Sequence, residues 1–120
     1  MERPMARTPE KDSPRSLTDR LVREIVSRVL AVSRPERIIV FGSAASGAMT
    51  SDSDIDLVVL ASAVDNNRAE SVRIGNALRG LGFPFDVFVM SSDRFEESKD
   101  VIGGLAYPAY RSGRVIYAAG

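Results

Sequence analysis

Two short runs of branched apolar residues, RIIVF at 37–41 and IDLVVLAS at 55–62, most constrain what this chain can build. Each is bounded by turn formers and too short for a helix, so each is expected as a strand. The second is apolar on both faces for several residues, which is the pattern of a strand inside a sheet. Their connection is unusual. The first run ends in Gly42-Ser43, a small polar stretch follows, and the second run is entered through Asp52-Ser53-Asp54-Ile55-Asp56. Carboxylates this close repel one another, and a strand entrance is a costly place to keep them without compensating positive charge.

Other segments surround this pair. A helix is expected from Ser16, where Ser16-x-x-Asp19 resembles a capping box with Asp in place of Glu. Leu17, Leu21, Val22, Ile25, Val26, Val29 and Leu30 fall at helical spacing and form one core-facing stripe, which ends before Pro35. Ala69, Val72, Ala77, Leu78 and Leu81 suggest a second helix between Asn66 and Gly80. FPFDVFVM at 83–90 reads as a third strand with a proline near its start. Residues 92–112 read as helical pieces broken at Gly103-Gly104 and Pro108, and RVIYA at 114–118 as a last strand. The expected architecture is α/β (α+β), a mixed β-sheet with helices packed on it. It forms one domain over 16–120, after a polar, proline-bearing tail at 1–15 in which nothing repays ordering entropy.

Composition removes whole classes of chemistry. The chain has 120 residues with no cysteine and no histidine. Thiol catalysis, disulfides, imidazole bases and zinc sites of the Cys/His type are therefore excluded. Any metal would be a hard ion that takes oxygen ligands, such as magnesium. Sixteen basic residues balance sixteen acidic ones, so the general electrostatic drive toward nucleic acid is missing. No run approaches the ~20 apolar residues that span a bilayer. The start, MERPMARTPEKDSPRS, has no apolar stretch for a signal peptide, and the cytoplasm is the expected location.

Three chemistries can be tested on residues 40–60. A phosphate-binding P-loop needs Lys and Ser or Thr after its second glycine, and Ala48 and Met49 follow Gly47. A calcium loop on Asp52, Asp54 and Asp56 needs Gly at its sixth position and Glu at its twelfth, where Leu57 and Ala63 stand. Both readings fail. The third fits. Gly42 permits close backbone approach, and backbone amides with the Ser43 hydroxyl can hold a phosphate. On a strand, Asp54 and Asp56 project from one face while Ile55 faces the other, which makes the pair a seat for a divalent ion. Asp86 sits inside an apolar strand, where a charge needs a partner. It shares a face with Phe88, opposite Val87 and Val89. Should its strand lie beside 55–60, the same ion is that partner.

Together, Phe41-Gly42-Ser43, then Ser53-Asp54-Ile55-Asp56-Leu57, then Asp86 in FDVFVM resemble the minimal nucleotidyltransferases (MNT-type) of the DNA polymerase β superfamily. The resemblance runs over roughly residues 17–118 and includes the closing AYPAYRSGRVIYA. It implies a polymerase-β-like fold in which Asp54, Asp56 and Asp86 ligate two Mg2+ ions about 3.5–4 Å apart. It further implies that Gly42 and Ser43 hold the triphosphate of ATP or another NTP, and that Asp86 assists the attacking hydroxyl. The reaction implied is in-line transfer of a nucleoside monophosphate, AMP from ATP, to a hydroxyl. Because the chain has no second domain to grip an acceptor, the resemblance implies a homodimer or a small helical HEPN-type partner. It would then be the antitoxin of a HEPN/MNT-type toxin–antitoxin pair. One departure stands out. Small members carry Gly-Ser-Arg-x-Arg-Gly, and this chain has Ala44 and Ser46 at the arginine positions. Arg68 or Arg73 are the candidates to replace them. The competing expectation is a catalytically inactive protein of the same fold that neutralises a partner by contact. Phe83, Phe85 and Phe88 are expected in the core or an interface, with no base-stacking platform, and Tyr107, Tyr110 and Tyr117 in packing roles.

Overall fold

The computed structural model describes residues 17–46, 54–62, 66–101, 104 and 106–119. The tail expected at 1–15, the Ser16 cap and most of the loop between the first two strands lie outside the described residues. Helix α1 (Asp19–Val32) starts at Thr18, whose Oγ1 accepts a hydrogen bond from the Leu21 amide at 3.1 Å. Thr18 thus does the capping that was expected of Ser16. Ile25 and Val29 are buried on α1, while Leu30, at the end of the expected core stripe, is 41% exposed. The apolar stripe is wider than the surface it covers.

Strand β1 (Arg37–Phe41) leads into a single helical turn, α2 (Ser43–Ser46), and strand β2 (Ile55–Ala61) returns antiparallel to β1. Helix α3 (Asn67–Ala77), capped by Asn66, carries the chain across to strand β3 (Phe85–Ser91), which lies parallel to β2. A parallel neighbour requires such a crossover. Ile74 and Leu78 form its buried side, and Val72, expected to face inward, is 55% exposed. Helices α4 (Ser92–Ser98) and α5 (Ala106–Ser112) follow, and strand β4 (Arg114–Ala118) closes the sheet antiparallel to β1. Pro108 does not break α5. It occupies the first turn, where its missing N–H has no intrahelical partner to lose.

The sheet order is β3-β2-β1-β4, a mixed sheet with β1 and β2 in its interior, the place that the double-sided apolar character of 55–62 predicts for β2. Alternation along these strands splits the core in two. Ile38, Val40, Ile55, Leu57 and Val59 face α1 and α3 together with Ile25, Val29, Ile74 and Leu78. Ile39, Phe41, Val58 and Leu60 face α4 and α5 through Phe95, Ala106 and Ala109. No polar or charged side chain among the described residues is buried.

Ties between elements are polar and peripheral. Arg28 donates to the carbonyls of Ala77 and Arg79, at 3.3 and 2.7 Å, and so closes the C-terminal end of α3. Ser33 donates to Glu70 at 2.6 Å, which joins α1 to α3. On the opposite face, Arg37 meets Glu96 and stacks 5.3 Å from the Phe95 ring, while Lys99 sits 2.7 Å from Glu96 and over Tyr110. Gly113 joins α5 to β4 at a tight contact, since an added Cβ would lie 2.1 Å from the Ala109 carbonyl oxygen and 2.6 Å from Ile39 Cγ2. Gly113→Ala should therefore push α5 from β1 and cost about 1–3 kcal/mol, measured by urea unfolding.

Candidate functional site

Registry brings the acidic residues together. In the antiparallel pairing of β1 with β2, Phe41 lies opposite Asp56; in the parallel pairing of β2 with β3, Asp56 lies opposite Asp86. One row across three strands is thus Phe41, Asp56, Asp86, at the end of the sheet where β1 stops and β2 and β3 begin. The amide of Ile55 donates to the Pro84 carbonyl at 2.9 Å, which holds this end of β2 and β3 in register. Asp54 is exposed just before β2, two residues from Asp56, while Ile55 between them is fully buried against the α1–α3 core.

The carboxylates crowd one another. Partial burial pushes the Asp56 carboxyl above its ordinary pKa, and the negative charges of Asp86 and then Asp54 push it further, with a hydrogen bond between the Asp56 and Asp86 side chains acting in the same direction. Every influence on Asp56 raises it. No lysine or arginine among the described residues forms an ion pair with any of the three. Among the described residues, the compensation sought in the sequence therefore does not come from a basic side chain.

Gly42 closes the opposite side. It takes φ +74°, and a Cβ built on it would lie 2.6 Å from Asp56 Oδ2. Only glycine allows the backbone to turn away from β1 and pass this close to the carboxylate. Ala44 of α2 is buried in the α1–α3 core and anchors the turn that follows. The bend expected from Gly42-Ser43 is thus set directly against Asp56.

A hard divalent cation fits this donor set, which is all oxygen, doubly crowded and unpaired by arginine or lysine. The carboxylates stand as an open row. Among the described residues no group of three or more acidic side chains is arranged so that it alone could hold a metal ion.

Two sequence expectations about neighbouring side chains change. Arg68 begins α3 beyond the far end of β2, a seven-residue strand spanning roughly 20 Å. Arg73 is paired with Glu70 at 2.7 Å on the same helix. Neither belongs to this end of the sheet. Phe83 and Phe85 do pack on the α1–α3 core, but Phe88 is 37% exposed on the carboxylate face, its ring 6.1 Å from that of Phe41. It is an exposed apolar wall outside the two core clusters, where the expectation was core or interface.

Residues 19–106 match the family model of the nucleotidyltransferase domain. A chain in a crystal structure of a toxin–antitoxin with AMP-PNP is similar in fold, with a TM-score of 0.59 at 18% identity, covering 82% of this chain and 73% of that one. No curated protein sequence matches this chain.

The crowding has a measurable sign. Because the folded-state pKa of Asp56 lies above its unfolded value, the native state binds its proton more tightly, and the stability so gained is lost as pH rises through the folded-state pKa. Asp56→Asn should raise the thermal midpoint of the metal-free protein near neutral pH, with the gap narrowing on acidification through the carboxylate range. Thermal melts of both proteins across pH check this.

Proposed function

We propose, for a chain that belongs to the nucleotidyltransferase domain family, a magnesium-dependent transfer of a nucleoside monophosphate, AMP from ATP, to a hydroxyl acceptor. The observation that carries this reading is the row of Asp56 and Asp86 in register, with Asp54 alongside and Gly42 pressed against Asp56. Such an arrangement is unstable by itself and becomes favourable around divalent cations that bridge to phosphate.

Magnesium held by Asp54, Asp56 and Asp86 would neutralise charge on the triphosphate and on the departing pyrophosphate. The chain's own contribution is positioning. Gly42 and Ser43 receive the phosphates at the end of β1, on one side of Asp56, and Asp86 stands on the other side, on edge strand β3. An acceptor hydroxyl approaching over β3 meets the α-phosphorus in line with the leaving group. Its oxygen bonds to the α-phosphorus as the bond from that phosphorus to the bridging oxygen breaks, and pyrophosphate departs with the electron pair. Asp86 takes the hydroxyl proton in this reading. Rate comes from orientation and charge neutralisation, with no covalent intermediate on the protein.

The acceptor side is open, since β3 is a sheet edge and Phe88 is exposed on it. An acceptor carried by a partner protein suits that openness, and we assign the chain to the antitoxin side of a toxin–antitoxin pair. The toxin–antitoxin neighbour supports this through shared fold. A small helical HEPN-type protein is the partner we favour over a second copy of this chain. A second reading, the inactive fold that neutralises by contact, is favoured by one observation: no lysine or arginine occurs between Arg37 and Arg68, so the phosphate loop brings no cation of its own.

With labelled ATP, magnesium and candidate partner proteins, Asp54→Ala and Asp56→Ala should each lower transfer by at least about a hundredfold. Transfer unchanged in both variants would reject the enzymatic reading. A wild type without affinity for Mg-ATP that still binds its partner would establish the contact-only reading.

A further inference from the structure

Next to the carboxylate row, the same face of the sheet carries an aromatic pair with one open side. Phe88 stands on β3 two residues after Asp86, and so on its face, opposite Val58 of β2. Phe41 stands on β1 opposite Asp56. The two phenylalanines flank β2 and lie two residues out of line, which sets their backbones about 12 Å apart. Their ring centroids are only 6.1 Å apart, with the planes tilted by 47°. The rings therefore lean toward each other over β2, between Asp56 and Val58.

The pair is unevenly covered. Phe41 is buried with Val58, Leu60 and Phe95 in the α4–α5 core, whereas Phe88 is 37% exposed and belongs to neither core cluster. A single exposed phenylalanine is ordinary, but this one leans inward onto a buried ring and borders the proposed reaction centre. The side chains beside it on this face, Phe41, Val58 and Met90, are apolar. They offer contact to a flat ring and no hydrogen bond to its edge. In-line transfer keeps the attacking oxygen and the departing pyrophosphate on opposite sides of the α-phosphorus. In the reading above that line runs across the strands, from the Gly42 turn past Asp56 to Asp86. The nucleoside leaves the α-phosphorus off the line. Outward along the strands lies the end of the sheet; inward lies the Phe41–Phe88 pair.

We infer that Phe88, backed by Phe41, is the stacking platform for the base of the substrate nucleotide. The inference rests on the nucleotide reading above and adds to it the group that holds the base. Because the ring leans inward over β2, the outer backbone edge of β3 stays open to the acceptor. Stacking selects by the strength of ring contact, so purine nucleotides are held more tightly than pyrimidine ones.

Isothermal titration of the full chain with Mg-ATP, with Mg-UTP, and with magnesium and inorganic tripolyphosphate tests this. Phe88→Leu should bind Mg-ATP at least about fivefold more weakly than wild type does, and tripolyphosphate equally well. Mg-UTP should bind wild type more weakly than Mg-ATP, and the gap should close in Phe88→Leu. Phe88→Trp should keep its affinity for Mg-ATP. The chain has no other tryptophan, so quenching of its emission by Mg-ATP, with none by tripolyphosphate, reports the stacked base. Equal affinity of wild type and Phe88→Leu for Mg-ATP overturns the inference while the carboxylate site stands, because the open ring would then serve the acceptor. An equal loss for ATP and tripolyphosphate also overturns it, since the ring would then support the carboxylate end of the sheet and not the base. A wild type that binds none of the three probes overturns the nucleotide reading and this inference with it.

Discussion

The parallel register between β2 and β3 governs everything that is distinctive in this protein. It sets Asp56 directly opposite Asp86, and the antiparallel register on the other side of β2 sets Asp56 against Phe41 and the Gly42 turn. A slip of one residue in either pairing would send one carboxylate to the α1–α3 side, where Ile55 and Leu57 are fully buried. The hydrophobic alternation that stabilises the sheet therefore also aims the charges. Stability and site geometry come from the same side-chain period, and the Ile55 amide bound to the Pro84 carbonyl keeps both at the sheet end.

Electrostatic cost is concentrated at that end. Three carboxylates lie together with no described basic partner, while Arg28 closes α3, and Arg37 and Lys99 converge on Glu96 at the end of β1 remote from the carboxylates. The uneven distribution is invisible in a net charge of zero. A proposed cation and anionic ligand that arrive together would offset the repulsion among these acidic residues. Membership of the nucleotidyltransferase domain family gives that pairing its natural chemistry.

Much of this could be read from the sequence because it is encoded locally. RIIVF and IDLVVLAS are strands by composition, and double-sided apolarity placed the second inside the sheet, where it is found. Gly42 announced a tight approach, and Asp54 and Asp56 announced a shared face by their spacing. Asp86 depended on one non-local condition, that its strand lie beside 55–60, and the parallel pairing meets it. Helix caps were less legible. Thr18 and Ser16 are both good caps, and the packing of Leu17 chose between them.

What sequence missed was set by tertiary pairing. Arg68 and Arg73 follow the second strand closely in the chain, yet α3 begins at the opposite end of that strand. Phe88 was expected in the core or an interface, and it stands exposed on the edge strand, outside the core clusters. Paramagnetic Mn2+ added to isotope-labelled protein tests the central claim most directly, through the amide signals that it broadens. The account requires the earliest broadening at Gly42, Asp54, Asp56 and Asp86, in the fold as described; broadening confined to other acidic residues such as Glu24, Glu70 or Glu96, or uniform across the chain, would contradict it.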